Sequence, residues 1–510
     1  MSRKRKAFLG FYADVAGMII VQLLSLLAIR FYLNVITLSD YGYWVVITSV
    51  IGWLGLADFG IGFSISRFLI KAMNSGKGET DGNEINSIAA TSMLMFIVIS
   101  FVFLLIGLLL IPFVTHWFHI DQLSSSVFSS TFVIVLISTA IGIPFALYSS
   151  ILESRQKILL NRNIQTISAI AQVLSSMFFV VLLKSVVGLA FGLLFGTLLG
   201  AVLYYYHAAK EVRVSISRTN VKRNMMKQLF SFGGYFQLGR TANMVATTTD
   251  SLFILSYLDA SKVTVYNFTS KLPVLFCNTI ASKIPLALFS GLSQVFDSGN
   301  MLLFKKSYVN LLTVIIRLAF FSTAVIFFVN DKFVGLLAKD GYGGMALNSI
   351  FAYWVFFETI IRGTGIIFSI YRELKVWAFA GIIEVLLNIG MSFYFLHIGW
   401  GMPGLALATA IARTFTIGVY WAWFVNKKNL VNYQELVKSL VQNALRSMPM
   451  IFALYLLSVY CSFTPIFSIV IYSLVGLGIN ILFYDWRILY ESYQKRSFSL
   501  ILAGYKNKYF

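Results

Sequence analysis

Charge is what this chain has least of. Asp, Glu, Lys and Arg together make up 12% of its 510 residues, roughly half the ~25% of a typical soluble domain, which excludes a water-exposed surface along most of its length. Thiols are also scarce. The only cysteines, Cys277 and Cys461, both fall inside predicted apolar helices, so a disulfide framework and a thiolate metal cluster are excluded and packing is their expected role. No metal or cofactor is expected. Polar stretches long enough to fold by themselves are missing as well. The longest outside the apolar runs are the carboxy-terminal tail from residue 486 and a basic linker over 208–228, and neither could form a domain.

What the chain has in abundance is apolar surface: 58% of its residues are hydrophobic and the mean hydropathy is +0.81. Apolar runs of about 20 residues recur throughout, each long enough to cross a ~30 Å hydrocarbon layer as a helix. The reading is an all-α polytopic membrane protein with 14 transmembrane helices at 8–36, 42–69, 87–111, 128–152, 162–183, 186–207, 229–256, 263–289, 308–330, 346–370, 376–397, 402–425, 443–462 and 464–485. The first run is too long for a signal peptide and lacks a small-residue cleavage pattern, so it is expected to stay as a helix.

Basic residues retained in cytoplasmic loops set the orientation. Most of the 40 Lys and Arg fall on the side of the amino terminus, which opens with Arg3, Lys4, Arg5 and Lys6. The opposite side carries only Lys184, Lys262, Lys332 and Lys339. With an even number of helices, both termini are expected in the cytoplasm. The formal charge of +20 is then a topology signal, and no nucleic-acid partner is expected.

Seven basic residues remain inside the predicted spans: Arg30, Arg240, Lys271, Lys283, Arg317, Arg362 and Arg413. An unpaired charge at that depth costs several kcal/mol by most estimates, roughly 3 or more. Arg317 and Lys283 are close enough to a predicted helix end to snorkel, and Glu358 stands four residues before Arg362 as an intrahelical partner. Arg240, Lys271 and Arg413 lie about 12–16 Å from their nearer helix ends at ~1.5 Å per residue. The membrane acids are Asp58, Asp250, Glu358 and Glu384, suited to charge pairing or ion coupling. The interior balance is positive, which points to a wet cavity that attracts an anion.

The chain also matches itself at a constant offset. Gly188-Leu189-Ala190 falls on Gly404-Leu405-Ala406, Tyr204 on Tyr420, and Ser66-Arg67 on Ser282-Lys283. Predicted loops coincide too: 71–86 with 287–302, 112–128 with 328–344, and 153–161 with 369–377. An even-numbered unit in tandem keeps its orientation, so the expected pseudo-two-fold axis lies along the membrane normal. The expected divisions are an amino-terminal lobe over 1–210, a cytoplasmic linker over 211–228, a second lobe over 229–425, helices 13 and 14 within 426–485, and a basic cytoplasmic tail over 486–510. Gly233, Gly234 and Gly239 before Arg240, and Pro273 and Pro285 in helix 8, permit bends.

The stretch GLADFGIGFSISRF at 55–68 resembles a segment common in Wzx-type polysaccharide flippases, within the superfamily that includes the MATE drug exporters and the lipid II flippases. ESRQKILLNRN after helix 4, VVGLAFG opening helix 6 and FSFGGYFQLGRTANMVATTTDSLFIL across helix 7 are similar too. The resemblance implies a non-enzymatic, two-lobed transporter in the bacterial inner membrane. It would carry an undecaprenyl-pyrophosphate-linked oligosaccharide from the cytoplasmic to the periplasmic leaflet by alternating access. A polysaccharide polymerase and a chain-length regulator are the protein partners it implies.

Arg240, Lys271, Arg413, Arg30, Arg362 and Lys283 are then expected to hold the anionic head group, because guanidinium binds phosphate oxygens in pairs. A MATE-type drug exporter is the alternative reading. It moves mainly cationic compounds and relies on membrane acids, so the basic excess argues against it. A polysaccharide polymerase or ligase carries a long outer loop with catalytic residues. Here no predicted outer loop exceeds about 17 residues, and no nucleophile, base and orienter cluster stands out.

Overall fold

A computed structural model describes residues 3–55, 61–73, 79–118, 120, 122–212, 217–461 and 463–494. In 3–15, 63, 79–82, 122–123, 218, 231–247, 286–287, 290, 374 and 485–494 the description extends to the backbone alone. Every long regular element among these residues is a helix. The chain divides into two compact units, Met1–Thr264 and Val265–Phe510.

The first unit contains α1 (Arg3–Leu33), α2 (Leu38–Gly55), α3 (Ile61–Met73), α4 (Glu79–Trp117), α5 (Gln122–Ser154), α6 (Ile158–Leu183), α7 (Val187–Glu211) and α8 (Arg223–Tyr257). The division falls within α9 (Ala260–Phe276). The second unit continues with α10 (Lys283–Asp297), α11 (Met301–Leu337), α12 (Gly344–Thr364), α13 (Ile366–Ile370), α14 (Leu374–His397), α15 (Gly401–Arg413), α16 (Val419–Lys427), α17 (Tyr433–Tyr460) and α18 (Pro465–Gln494). Single π turns at Cys277–Ala281 and Thr414–Gly418 join α9 to α10 and α15 to α16.

Eleven helices among the described residues are long and apolar enough to cross a membrane, which makes this a multi-pass membrane protein. The other three expected spans are built differently. The run 42–69 is divided between α2 and α3, with Asp58 between them outside the described residues. The run 263–289 is interrupted by the π turn. Most side chains of 229–256, Arg240 included, lie outside the description. The count of fourteen therefore does not follow from uninterrupted helices alone.

In the first unit the tightest seam joins α6 to α7. Gly188, Gly192, Gly196 and Gly200 recur every fourth residue along one buried face of α7. A Cβ on Gly188 would lie 2.5 Å from the Val180 backbone nitrogen, and one on Gly192 2.0 Å from the Ser176 Oγ. Without side chains there, the two backbones approach closely, as small residues spaced by four permit in membranes. Helix α8, the first of the expected second lobe, packs within this unit against α2, α3 and α4. Ser64 Oγ donates to the Leu229 carbonyl at 3.0 Å, and Trp53 donates to the Thr248 hydroxyl.

Prolines inside the helices leave a carbonyl one turn back without its usual donor. At two of them a neighbouring helix supplies the missing hydrogen. Pro144 in α5 frees the Ala140 carbonyl, which accepts from Ser100 Oγ of α4 at 2.7 Å. Pro273 in α9 frees that of Thr269, which accepts from Asn330 Nδ2 of α11 at 2.8 Å. The same Asn330 amide donates to Asn348 Oδ1 of α12 at 2.9 Å, so the bend at Pro273 is tied to the α11–α12 contact. Pro285 needs no such partner, since it lies in the first turn of α10, where backbone N–H groups are unpaired anyway.

In the second unit, α11 packs against α12, α17 and α18. The core beside α11 is aromatic: Trp421 donates to the Tyr308 hydroxyl at 3.1 Å amid Phe304, Phe368 and Phe424. Two sequence readings change here. Arg317 does not snorkel from a helix end, because α11 runs to Leu337 and places it mid-helix. It donates to the Asn480 side chain of α18 and lies over the Tyr484 ring at 4.6 Å. Cys461 lies one residue beyond the end of α17, while Cys277 is buried at the first position of a π turn.

Candidate functional site

Among the described residues, the densest set of membrane charges lies within the second unit, where α12, α14 and α15 meet. Glu358 faces inward from α12, Glu384 from α14, and Arg413 is the last residue of α15 before the π turn. Both carboxylates are deeply buried, at 1% and 5% exposure. Arg413 Nε donates to Glu358 Oε2 at 2.8 Å and its second terminal nitrogen to Glu358 Oε1 at 3.3 Å, a two-point contact. Its remaining nitrogen donates to Glu384 Oε2 at 2.8 Å. Arg362, one turn along α12, donates to Glu358 as well.

Two acids and two bases cancel. The set has no net charge with which to attract an anion, and the guanidinium of Arg413 is committed through all three nitrogens. Its chemistry is that of a cross-link: Glu358 is the hub, and Arg413 joins three helices through it and Glu384. Charges removed from water at this depth are costly unless paired in this way. Glu384 is followed one turn later by Asn388, which donates to Thr409 of α15 at 2.7 Å. The α14–α15 contact therefore carries a second polar tie.

Lys271 stands apart from this set. It is half-buried in α9, two residues before Pro273, and makes no hydrogen bond or ion pair among the described residues. Arg30 is exposed in the last turn of α1. Lys283 opens α10, half-buried and in contact with neighbouring groups. Asp250 is buried in α8 and engaged by neighbours. The side chain of Arg240 and the whole of Asp58 lie outside the described residues. The structure thus brings together four of the ten singled-out residues, Arg362, Arg413, Glu358 and Glu384.

Of the links in that set, only Glu358 with Arg362 has a signature in the sequence, the four-residue spacing of one helix face. Asn388 and Thr409 carry no such signal. Among the described residues no three His, Cys, Asp or Glu side chains are placed to hold a metal ion.

Residues 10–296 match the family of polysaccharide biosynthesis proteins. No curated protein sequence matches the chain. Among solved structures, the chain is similar to the lipid II flippase MurJ in an inward closed conformation, with a TM-score of 0.67, 17% identity, and coverage of 92% of this chain and 97% of that one. It is similar to an inward-facing multidrug resistance transporter of the MATE family, in the MOP superfamily, with a TM-score of 0.65, 14% identity, and coverage of 80% and 94%. A MATE transporter in complex with MaL6 follows at a TM-score of 0.56, 14% identity, and coverage of 82% and 96%. The sequence match spans more than half of the chain, and the protein belongs to the polysaccharide biosynthesis family, with the fold of the MOP-superfamily transporters.

Proposed function

We propose that the protein is a flippase that carries an undecaprenyl-pyrophosphate-linked oligosaccharide from the cytoplasmic to the periplasmic leaflet of the bacterial inner membrane. One conjunction carries this reading: a family that serves polysaccharide biosynthesis, in a chain with a transporter fold. The assembly of a polysaccharide from lipid-linked units needs a step that moves a charged, hydrated head group through hydrocarbon. A pyrophosphate cannot cross bare, so the transporter must replace its water with fixed donors and cations.

Lys271 supports the reading, because a deep cation with no partner among the described residues costs free energy that an anionic ligand would offset. Arg240 is assigned the same duty on the strength of its sequence position. Arg413 and Arg362 are assigned a supporting one, holding α12, α14 and α15 in register. The polyprenyl tail stays in lipid throughout. Both termini are cytoplasmic in this reading, and the two six-helix lobes alternate between inward and outward openings.

The expected result in a strain lacking the protein is accumulation of lipid-linked repeat units in the cytoplasmic leaflet. Leaflet-resolved labelling of the glycan checks this. Single units that accumulate in the periplasmic leaflet would instead assign the protein to polymerisation.

A further inference from the structure

Helix α6 crosses the first unit with two distinct faces. Ile167, Leu174 and Phe178 are exposed on one of them, where lipid is the solvent. Gln165, Ser168 and Gln172 lie on the opposite face, since residues three, four and seven apart share a side at 3.6 residues per turn. Helix α7 repeats the arrangement, with Phe195, Leu198 and Val202 exposed and Thr197 and Tyr204 turned the other way. These polar faces, with Ser149 of α5, line one open cavity of about 330 Å³. It begins roughly 10 Å from the start of α6 and reaches about 20 Å along it, at ~1.5 Å per residue.

Its chemistry is specific. Among the described residues lining it, none is charged; the polar groups are hydroxyls and carboxamides, with Phe145 and Tyr204 adding aromatic surface. Several of these groups are held in place. Gln165 Oε1 accepts from Arg162 at 2.9 Å, and the Gln165 side chain also bonds the Tyr204 hydroxyl. Thr197 is bonded to Ser138 at 2.9 Å, and the Tyr204 hydroxyl donates to the Asn161 carbonyl at 3.3 Å. The Gln172 carboxamide, deep on α6, makes no hydrogen bond among the described residues. The glycines bring α7 close against this face: a Cβ on Gly196 would lie 2.6 Å from that of Gln172.

A hydrocarbon tail would strand these donors and acceptors, and a phosphate would find no cation among the lining residues, the nearby Arg162 being held by Gln165. A neutral ring bearing hydroxyls satisfies the Gln172 carboxamide, which offers a donor and an acceptor side by side, and can lay its C–H face on an aromatic ring. The volume, at the low end of the ~300–1,000 Å³ of small-molecule sites, suits one ring and not a whole oligosaccharide. We propose that the α5–α6–α7 cavity is a sugar subsite, which takes one uncharged hexose or N-acetylhexosamine ring of the transported glycan. This rests on the flippase reading and adds a specificity element separate from the cations assigned to the pyrophosphate.

The test uses the full chain in lipid nanodiscs, with undecaprenyl pyrophosphate and the same carrier bearing one glucose, galactose, N-acetylglucosamine or N-acetylgalactosamine as probes. Wild type should bind at least one glycosylated carrier about tenfold more tightly than the bare carrier. Gln172→Leu should bring that ratio to about one, the effect of one or two lost hydrogen bonds, with bare-carrier affinity and melting temperature unchanged. Gln165→Leu, nearer the cavity mouth, repeats the measurement if Gln172→Leu lowers the melting temperature. No preference for any glycosylated carrier in wild type, a preference that survives both substitutions, or an equal loss of bare and glycosylated carriers would overturn the sugar subsite alone. Binding of no carrier by wild type would overturn the flippase reading and the subsite with it.

Discussion

Arg240→Ala abolishes surface polysaccharide while the protein remains in the membrane at its normal level. That outcome is expected if Arg240 meets the pyrophosphate in transit, since the substitution removes a charge-assisted, two-point contact of roughly 1.5–3 kcal/mol. If the contact acts on the transport barrier, this is a fall in rate of about ten- to hundredfold. Arg240→Lys should restore part of the polymer, because it keeps the charge and loses the planar fork. Two measurements check the prediction together, polymer display at the surface and protein abundance in the membrane. Full display from the alanine variant would remove Arg240 from the mechanism, and loss of the protein itself would assign it to structure.

The second large effect has the opposite signature. Glu358→Ala should deplete the protein from the membrane, because it leaves Arg362 without its carboxylate and Arg413 with only Glu384. Breaking a buried pair by removing one partner costs about 3–5 kcal/mol, a large fraction of the ~5–15 kcal/mol that holds a typical domain together. Glu384→Gln should be milder, since Arg413 keeps its two contacts with Glu358. Thermal unfolding of the purified variants should give the order wild type, Glu384→Gln, Glu358→Ala. A Glu358→Ala protein as abundant and heat-stable as wild type would show that the set is not a cross-link.

The helical, membrane-spanning build was legible because a hydrocarbon solvent leaves few alternatives to long apolar helices. Where the sequence reading departs from the structure, a long-range contact or a local break decides. The run 263–289 reads as one span, yet Pro273 and the following π turn divide it, and hydropathy does not register backbone geometry. Arg317 reads as a snorkelling residue because its partner Asn480 is 163 positions away. Arg413 reads as a free cation for the same reason, with Glu384 29 positions back and Glu358 55. The Glu358–Arg362 pair was legible only because one helix holds both. The sugar cavity left a fainter trace, Gln165, Ser168 and Gln172 at one-face spacing in an otherwise apolar helix. That pattern is visible along α6 but gains meaning only when α5 and α7 close around it.

Transport of the intact lipid-linked glycan is the central claim, and reconstitution tests it most directly. The purified protein is placed in sealed vesicles that contain a labelled undecaprenyl-pyrophosphate-linked repeat unit in both leaflets, and an impermeant glycan-modifying enzyme is added outside. The prediction is that the whole labelled pool becomes modified over time in vesicles with the wild-type protein, that the inner-leaflet pool is modified about ten- to hundredfold more slowly with Arg240→Ala, and that only the outer-leaflet pool is modified in empty vesicles. An inner-leaflet pool that stays protected in the presence of folded wild-type protein would contradict the account.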